Sequence, residues 1–300
     1  MTRPDNQPAR LRAVAEMLAA EAAEFVRNRR AEVFGEYPGA LHASVIGAVR
    51  SKSTPTDPVT VVDTETERLL RDRLAQLRPG DPILGEEGGG PGDQGGAADL
   101  GATSADAVTW VLDPIDGTVN FVYGIPAYAV SIGAQVNGVS VAGAVADVVA
   151  GRVYSAANGL GAHVTDEQGT HALRCNPVAD LSMALLGTGF GYSTGRRTTQ
   201  AALLARMLPV VRDVRRIGSA ALDLCMVAAG RLDAFYEHGL QVWDCAAGAV
   251  IAAEAGARVV LPERDLPVGA AGLVVAAAPG IADELLAVLE RFNGLEPILD

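Results

Sequence analysis

The stretch Asp113-Pro114-Ile115-Asp116-Gly117-Thr118-Val119-Asn120-Phe121 decides how the rest of the chain is read. The run before it, Val108 to Leu112, is apolar and rich in strand-forming residues, so the two carboxylates arrive at the carboxyl end of a strand. A proline turn between acids at positions 113 and 116 lets both point at one cation. Gly117 permits close approach, and the amides of Gly117 and Thr118 open toward an anion at a helix start. The plain alternative is that Asp113-Pro114 ends a strand and Asp116 caps a helix.

Outward from this stretch, two further acidic elements occupy similar surroundings. Gly85-Glu86-Glu87 follows the short apolar Ile83-Leu84 strand, and Trp243-Asp244 opens an apolar helix predicted from Trp243 to Ala255. Read singly, Glu86 and Glu87 are a solvated loop and Asp244 is an N-cap. Together with Asp113 and Asp116 they make a site for a metal and an anion plausible.

The remaining pattern places these elements in a layered α/β fold. Leu11 to Arg30 carries a stripe of Leu11, Val14, Met17, Leu18, Ala22 and Phe25 that predicts a long amphipathic helix, and Asp63 to Leu77 predicts a second. From Tyr128 to Val164, apolar runs are punctuated by Asn137-Gly138, Gly151-Arg152 and Asn158-Gly159, the cadence of antiparallel hairpins. Beyond Leu181, strands at Leu185 to Gly187 and Ala234 to Tyr236 alternate with helices at Thr198 to Leu208, Ser219 to Ala229 and Trp243 to Ala255. No repeat or composition shift divides the chain, so residues 1–300 read as one domain. Residues 1–10 read as disordered, the glycine-rich 88–107 as a flexible loop, and Gly35 to Ser53 as a surface loop that moves when ligand binds.

Composition narrows the function. At 49% hydrophobic and 20% charged over 300 residues, the chain buries a large core. No apolar run reaches the roughly 18 residues of a membrane span, and the N-terminus lacks an export signal, so a cytoplasmic location is expected. Three cysteines with no paired spacing argue against both a disulfide framework and a zinc site. A net charge of −12 disfavours nucleic acid. An acidic protein that acts on an anion needs bound cations to reverse its local field.

The motif set, Gly85-Glu86-Glu87, then Asp113 to Phe121, then Trp243-Asp244-Cys245-Ala246-Ala247-Gly248, resembles the inositol monophosphatase family and, within it, the SuhB-type bacterial members. The resemblance runs from about Ala13 to Leu289 and implies an α/β/α/β/α sandwich, a homodimer, and two to three magnesium ions per subunit. It places Glu86, Asp113 and the Ile115 carbonyl around one ion and Asp113, Asp116 and Asp244 around a second, with Glu86 reaching a third through water. Glu86 and Thr118 would orient the attacking water, Asp63 would support Thr118, and Lys52 would close over the site from its loop.

Asp116, Gly117, Thr118 and Asp244 also fall among the substrate contacts that the resemblance implies. Gly218-Ser219-Ala220 and Glu237 match positions against the substrate ring, and Arg215 a further polar contact. The pair Arg215-Arg216 reads equally as a subunit-interface or surface-paired element. The implied activity is magnesium-dependent, lithium-sensitive hydrolysis of a polyol monophosphate, with myo-inositol 1-phosphate favoured. Fructose 1,6-bisphosphate, histidinol phosphate or a 3′-phosphonucleotide are alternative substrates. A regulatory binding partner that retains the fold is the non-enzymatic alternative. The 88–107 loop is more glycine-rich than the family pattern requires, Ala40 to Arg50 does not match it, and His42, His163, His171 and His238 have no implied role.

Overall fold

A stripe of small apolar residues, Leu11, Ala15, Leu18, Ala19, Ala22 and Val26, is fully buried along the first helix, α1 (Pro8–Phe34). In this computed structural model, which describes residues 7–35, 49–52, 58–90, 107–263, 266–267 and 269–299, Pro8 supplies the helix start. The N-terminal stretch expected to be disordered is therefore helical from residue 8. Met17, expected on the inner stripe, is 42% exposed. The alanines take its place because their small side chains let the helix lie close on a sheet.

After α1 come β1 (Val49–Ser51), β2 (Pro58–Thr60), α2 (Val61–Leu77), β3 (Ile83–Gly85), β4 (Val108–Asp116) and α3 (Thr118–Tyr123). The hairpin region holds β5 (Ala129–Val136), β6 (Val139–Asp147), β7 (Arg152–Ala157), β8 (Ala162–Asp166) and β9 (Gly169–Ala172). The second half runs through β10 (Leu185–Thr188), α4 (Thr194–Met207), β11 (Asp213–Arg215), α5 (Ala220–Ala228), β12 (Ala234–His238) and α6 (Val242–Glu254). It closes with β13 (Arg258–Val260), β14 (Ala270–Ala271), β15 (Leu273–Ala277), α7 (Ala282–Arg291) and β16 (Ile298–Leu299).

β3 to β9 form one seven-stranded sheet in sequence order, antiparallel except for the parallel β3–β4 pair. A five-stranded mixed sheet has the order β11-β10-β12-β15-β13. Strand alternation distributes side chains between four cores. Val108, Trp110 and Leu112 of β4 and Val130, Ile132 and Ala134 of β5 face α1 and α2. Ala129 and Val145 face the opposite way, onto Ala221, Cys225, Ala247 and Ile251 of α5 and α6. Those two helices turn Leu224, Val227 and Ala252 against Phe235, Val274 and Ala276 of the smaller sheet. That sheet's other face, including Ala234, Tyr236 and Val275, packs on Leu203 and Met207 of α4 and Leu285 and Leu289 of α7. The layers are α/β/α/β/α.

The middle helix layer sits unusually close to the larger sheet. Gly133 and Gly143 are cross-strand partners, and a Cβ on Gly143 would fall 2.8 Å from Cα of Ala247 on α6. Glycine is required there by backbone approach, and the approach fixes the height at which the first turn of α6 stands over β4 and β5. Gly143→Val is expected to destabilise the protein by about 1–3 kcal/mol through overpacking and to weaken divalent-cation binding by displacing Asp244. Thermal melts with and without magnesium check this; an unchanged melting temperature would show that α6 yields without cost.

Among the described residues no helix is long and apolar enough to cross a membrane. The Gly35 to Ser53 loop and the 88–107 loop fall mostly outside the described residues, apart from the β1 hairpin strand, Lys52 and the turn at Gly88 to Gly90.

Candidate active site

β4 does not stop at Asp113. It continues to Asp116 through an irregularity in its pairing with β5, where Asp113 opposes Ser131 and Asp116 opposes Ala129. The extra residue on the β4 side turns both aspartates toward the same end of the molecule. Asp113 Oδ1 accepts a hydrogen bond from the Ile115 amide at 3.1 Å, which fixes the turn around Pro114. Gly117 follows with φ +93°, and a Cβ there would lie 3.0 Å from the carbonyls of Ala127 and Gly218. Only glycine suits that backbone.

The N-terminus of α6 brings Asp244 to the same place, and carboxylate oxygens of Asp113, Asp116 and Asp244 all lie within 4.8 Å of one another. Asp244 is the third residue of its helix, not the N-cap: Gln241 caps, and its amide donates to Asp244 Oδ2 at 2.6 Å. Asp116 Oδ2 accepts from Ser219 Oγ at 2.5 Å and from the Ala221 amide at 2.7 Å at the start of α5. Three elements far apart in sequence are thus tied into one acidic cluster.

The electrostatics are those of several carboxylates crowded into a buried volume. Burial, then the charges of Glu86, Asp116 and Asp244, hold Asp113 well above the usual carboxylate range. Burial also pushes Asp116 up to about 6, against the lowering effect of its Ser219 and Ala221 donors. Asp244 is likewise raised well above its ordinary value, first by burial and then by Asp116 and Glu86.

Lys52 and the Glu86–Glu87 turn form the rim. Lys52 Nζ donates to Glu86 Oε1 at 2.7 Å and to Glu87 Oε1. Burial alone would lower the Lys52 pKa, but the two glutamates more than offset it and raise it. The turn is held from below by Glu67, a residue that the sequence reading passed over. Buried at 2% exposure, Glu67 accepts from the amides of Glu87 and Gly88, each at 2.8 Å, and from Arg71 at 2.7 Å. It lies four residues after Asp63 on the buried face of α2, a spacing that places the two acids on one side of the helix.

Asp63 serves two purposes. As the third residue of α2 it completes a reciprocal capping box with Thr60, whose amide donates to Asp63 Oδ2 at 3.0 Å. Its other oxygen lies 3.2 Å from the Thr118 hydroxyl, which also stands 3.0 Å from the Ile115 carbonyl. Asp63 is fully buried, and burial pushes it up to about 6.

The acidic cluster closes one end of a cavity of about 550 Å³ lined by Glu86, Gly117, Thr118, Gly218, Ser219 and Glu237, among others. Ala220 also lines it, at the head of α5. Glu237, on β12, packs where a side chain at Gly189 would collide with it. Burial pushes Glu237 up to about 8, with Arg216 pulling it down and Asp116 raising it. Arg215 does not line the cavity: at the exposed strand β11, its Nη1 pairs with Asp213 Oδ2 at 2.6 Å. The next residue, Arg216, follows the end of β11 and is the arginine that lines the cavity. Tyr192, Arg196 and Asp223 also line it and were not anticipated. His42 lies outside the described residues, His163 stands 3.5 Å from Arg12, His171 is exposed, and His238 is buried on the strand face opposite to Glu237.

The donor set fits a divalent cation. Asp116 and Asp244 each commit only Oδ2 to the protein donors named above, and mutually repelling carboxylates share a buried volume that a hard cation would neutralise. Glu86 stands beside this set, held by Lys52.

The family model described as the inositol monophosphatase family matches residues 7–293. The chain is 79% identical over 300 residues, the full length of both proteins, to the inositol-1-monophosphatase of Mycobacterium leprae. It is 76% identical over 301 residues, again the full length of both, to the inositol-1-monophosphatase SuhB of Mycobacterium tuberculosis. The solved structure of Mycobacterium tuberculosis SuhB superposes with a TM-score of 0.79 at 68% identity, covering 97% of this chain and 100% of that one.

Proposed function

The chain belongs to the inositol monophosphatase family, and from that premise we propose that it is a magnesium-dependent phosphoric monoester hydrolase whose preferred substrate is myo-inositol 1-phosphate. The observation that carries the reading is the convergence of Asp113, Asp116 and Asp244 in a cavity that Glu237 and Arg216 also line. The clustered carboxylates suit a phosphoryl group with its cations, and Glu237 with Arg216 suits ring hydroxyls.

Asp113, Asp116 and Asp244, with Glu86 and the Ile115 carbonyl beside them, would hold two to three magnesium ions. Bound there, magnesium supplies positive charge against the phosphoryl oxygens and acidifies water. The residues of the chain do the rest by position. Glu86 and the Thr118 hydroxyl flank the path of the attacking water, and Asp63 fixes the Thr118 side chain. The water oxygen forms a bond to phosphorus while the ester P–O bond breaks; the alcohol leaves with a proton, and phosphate remains. Lys52 bridges Glu86 and Glu87 and closes the rim. Glu237, with Gly218, Ser219 and Ala220, holds the polyol ring, and Arg216 takes the polar role first expected of Arg215. A cytoplasmic homodimer accompanies this reading, as does inhibition by lithium.

Phosphate release with magnesium should be compared across myo-inositol 1-phosphate, fructose 1,6-bisphosphate, histidinol phosphate and a 3′-phosphonucleotide, each with and without lithium. The expected result is a kcat/KM for the inositol ester at least about tenfold above the others, the margin that a site with buried hydroxyl partners provides. Turnover on none of them, with magnesium bound, would leave the regulatory reading in its place.

A further inference from the structure

Asp223 lines the same cavity yet has no place in the chemistry above. It sits in the first turn of α5 at 1% exposure. Its Oδ1 is sealed from solvent with no hydrogen-bond donor. That oxygen is packed toward β10, 3.0 Å from where a Cβ on Gly187 would be, in a niche that Leu232 and Phe235 also border. A carboxylate oxygen sealed without a donor is costly to keep charged, whereas the carbonyl oxygen of a neutral acid tolerates such a niche far better.

The surrounding charges agree. Asp223 feels Glu237 and Asp116 as like charges and Arg216 as the opposing one, and burial, then those acids, raise it well above its ordinary value. A single guanidinium balances a single carboxylate. Asp223 is not held ionised by it: Oδ1 is sealed without a donor, and burial with the neighbouring acids outweighs the pull of Arg216.

We propose that Asp223 is a specificity-determining residue that acts as a neutral carboxylic acid: its cavity-side oxygen donates a hydrogen bond to a substrate hydroxyl that in turn donates to Glu237. A hydroxyl has one proton to give and lone pairs to fill, so a donor and an acceptor side by side read an alcohol more fully than two carboxylates could. The inference rests on the polyol-phosphate reading and extends it, since it names what the cavity wall selects: a ring carrying a free hydroxyl remote from the phosphate.

The test compares Asp223→Asn and Asp223→Leu with the unaltered enzyme on two esters, myo-inositol 1-phosphate and p-nitrophenyl phosphate, which has no ring hydroxyl. Asparagine keeps a neutral donor of the same shape, so KM for the inositol ester should stay within about threefold. Leucine removes the donor, and KM for that ester should rise roughly 10- to 100-fold, with KM and kcat for p-nitrophenyl phosphate unchanged. Thermal melts establish that both variants are folded. The proposal is overturned if asparagine is as harmful as leucine, because the charge would then be what matters. It is also overturned if both esters suffer alike, or if neither does, in the leucine variant; should leucine not fold, the asparagine result alone decides. If the unaltered enzyme hydrolyses the aryl ester but no polyol ester, the substrate reading itself fails, a result visible before any variant is made.

Discussion

Asp113→Asn is expected to lower phosphate release by at least about a thousandfold while raising the melting temperature of the metal-free protein. The two effects have one cause. Asp113 is 1% exposed, and its ionised form is opposed by burial and by Glu86, Asp116 and Asp244. Without a cation, that arrangement costs folding free energy at neutral pH; asparagine keeps the shape, including the oxygen that accepts from the Ile115 amide, and drops the charge. The same substitution removes one of the three clustered carboxylates. A loss of activity with gain of stability would mark the site as strained for function. Phosphate assays with magnesium, and melts in a chelator, measure both. A variant that keeps a tenth of the activity, or that melts lower than the unaltered protein in chelator, would remove Asp113 from the centre of the site.

Much of this candidate site was legible in the sequence because its acidic residues occupy ends of elements with strong local signals. Val108 to Leu112 reads as a strand without help from the rest of the fold, and the acids that follow it can only lie at its carboxyl end. The hairpin cadence from Tyr128 to Val164 is equally local, and it matches β5 to β8. What failed to show depended on partners distant in sequence. β11, β13 and β15 are short strands whose identity comes from pairing within the smaller sheet, and α7 was passed over although Leu285 and Leu289 make it amphipathic. The register of β4 past Pro114 depends on β5, so the strand was expected to end too early. Arg215 and Arg216 were separable only by where β11 stops, a matter that its parallel pairing with β10 decides by ending at Arg215. Glu67 is one of several acids on α2 and Asp223 a single acid on α5, and local sequence does not distinguish a buried brace or a cavity wall from a solvated face.

Stability and metal binding should respond to pH in opposite senses. An aspartate whose folded-state pKa is raised stabilises the fold below its unfolded value, and that contribution is lost as pH rises through the folded value. Asp116 moves from 3.8 to about 6, and Asp113 and Asp244 are shifted in the same direction. In chelator, the site's contribution is therefore present below about pH 4 and disappears as pH rises through 6 and above. Cations bind the ionised carboxylates, so magnesium competes with those protons, and its affinity should fall by up to about tenfold per pH unit for each proton displaced below that point. The gap in melting temperature with and without magnesium should accordingly widen from pH 5.5 to pH 7.5, reaching about 2.7 kcal/mol of stabilisation at a hundred times Kd. Taking this difference cancels the titrations elsewhere in an acidic chain and isolates the cluster. Calorimetric titrations in two buffers of different ionisation enthalpy should register protons released on binding at the lower pH. Equal affinity at both pH values with no proton release would mean that the carboxylates are already ionised before the metal arrives, and the repulsion argued for here would not exist.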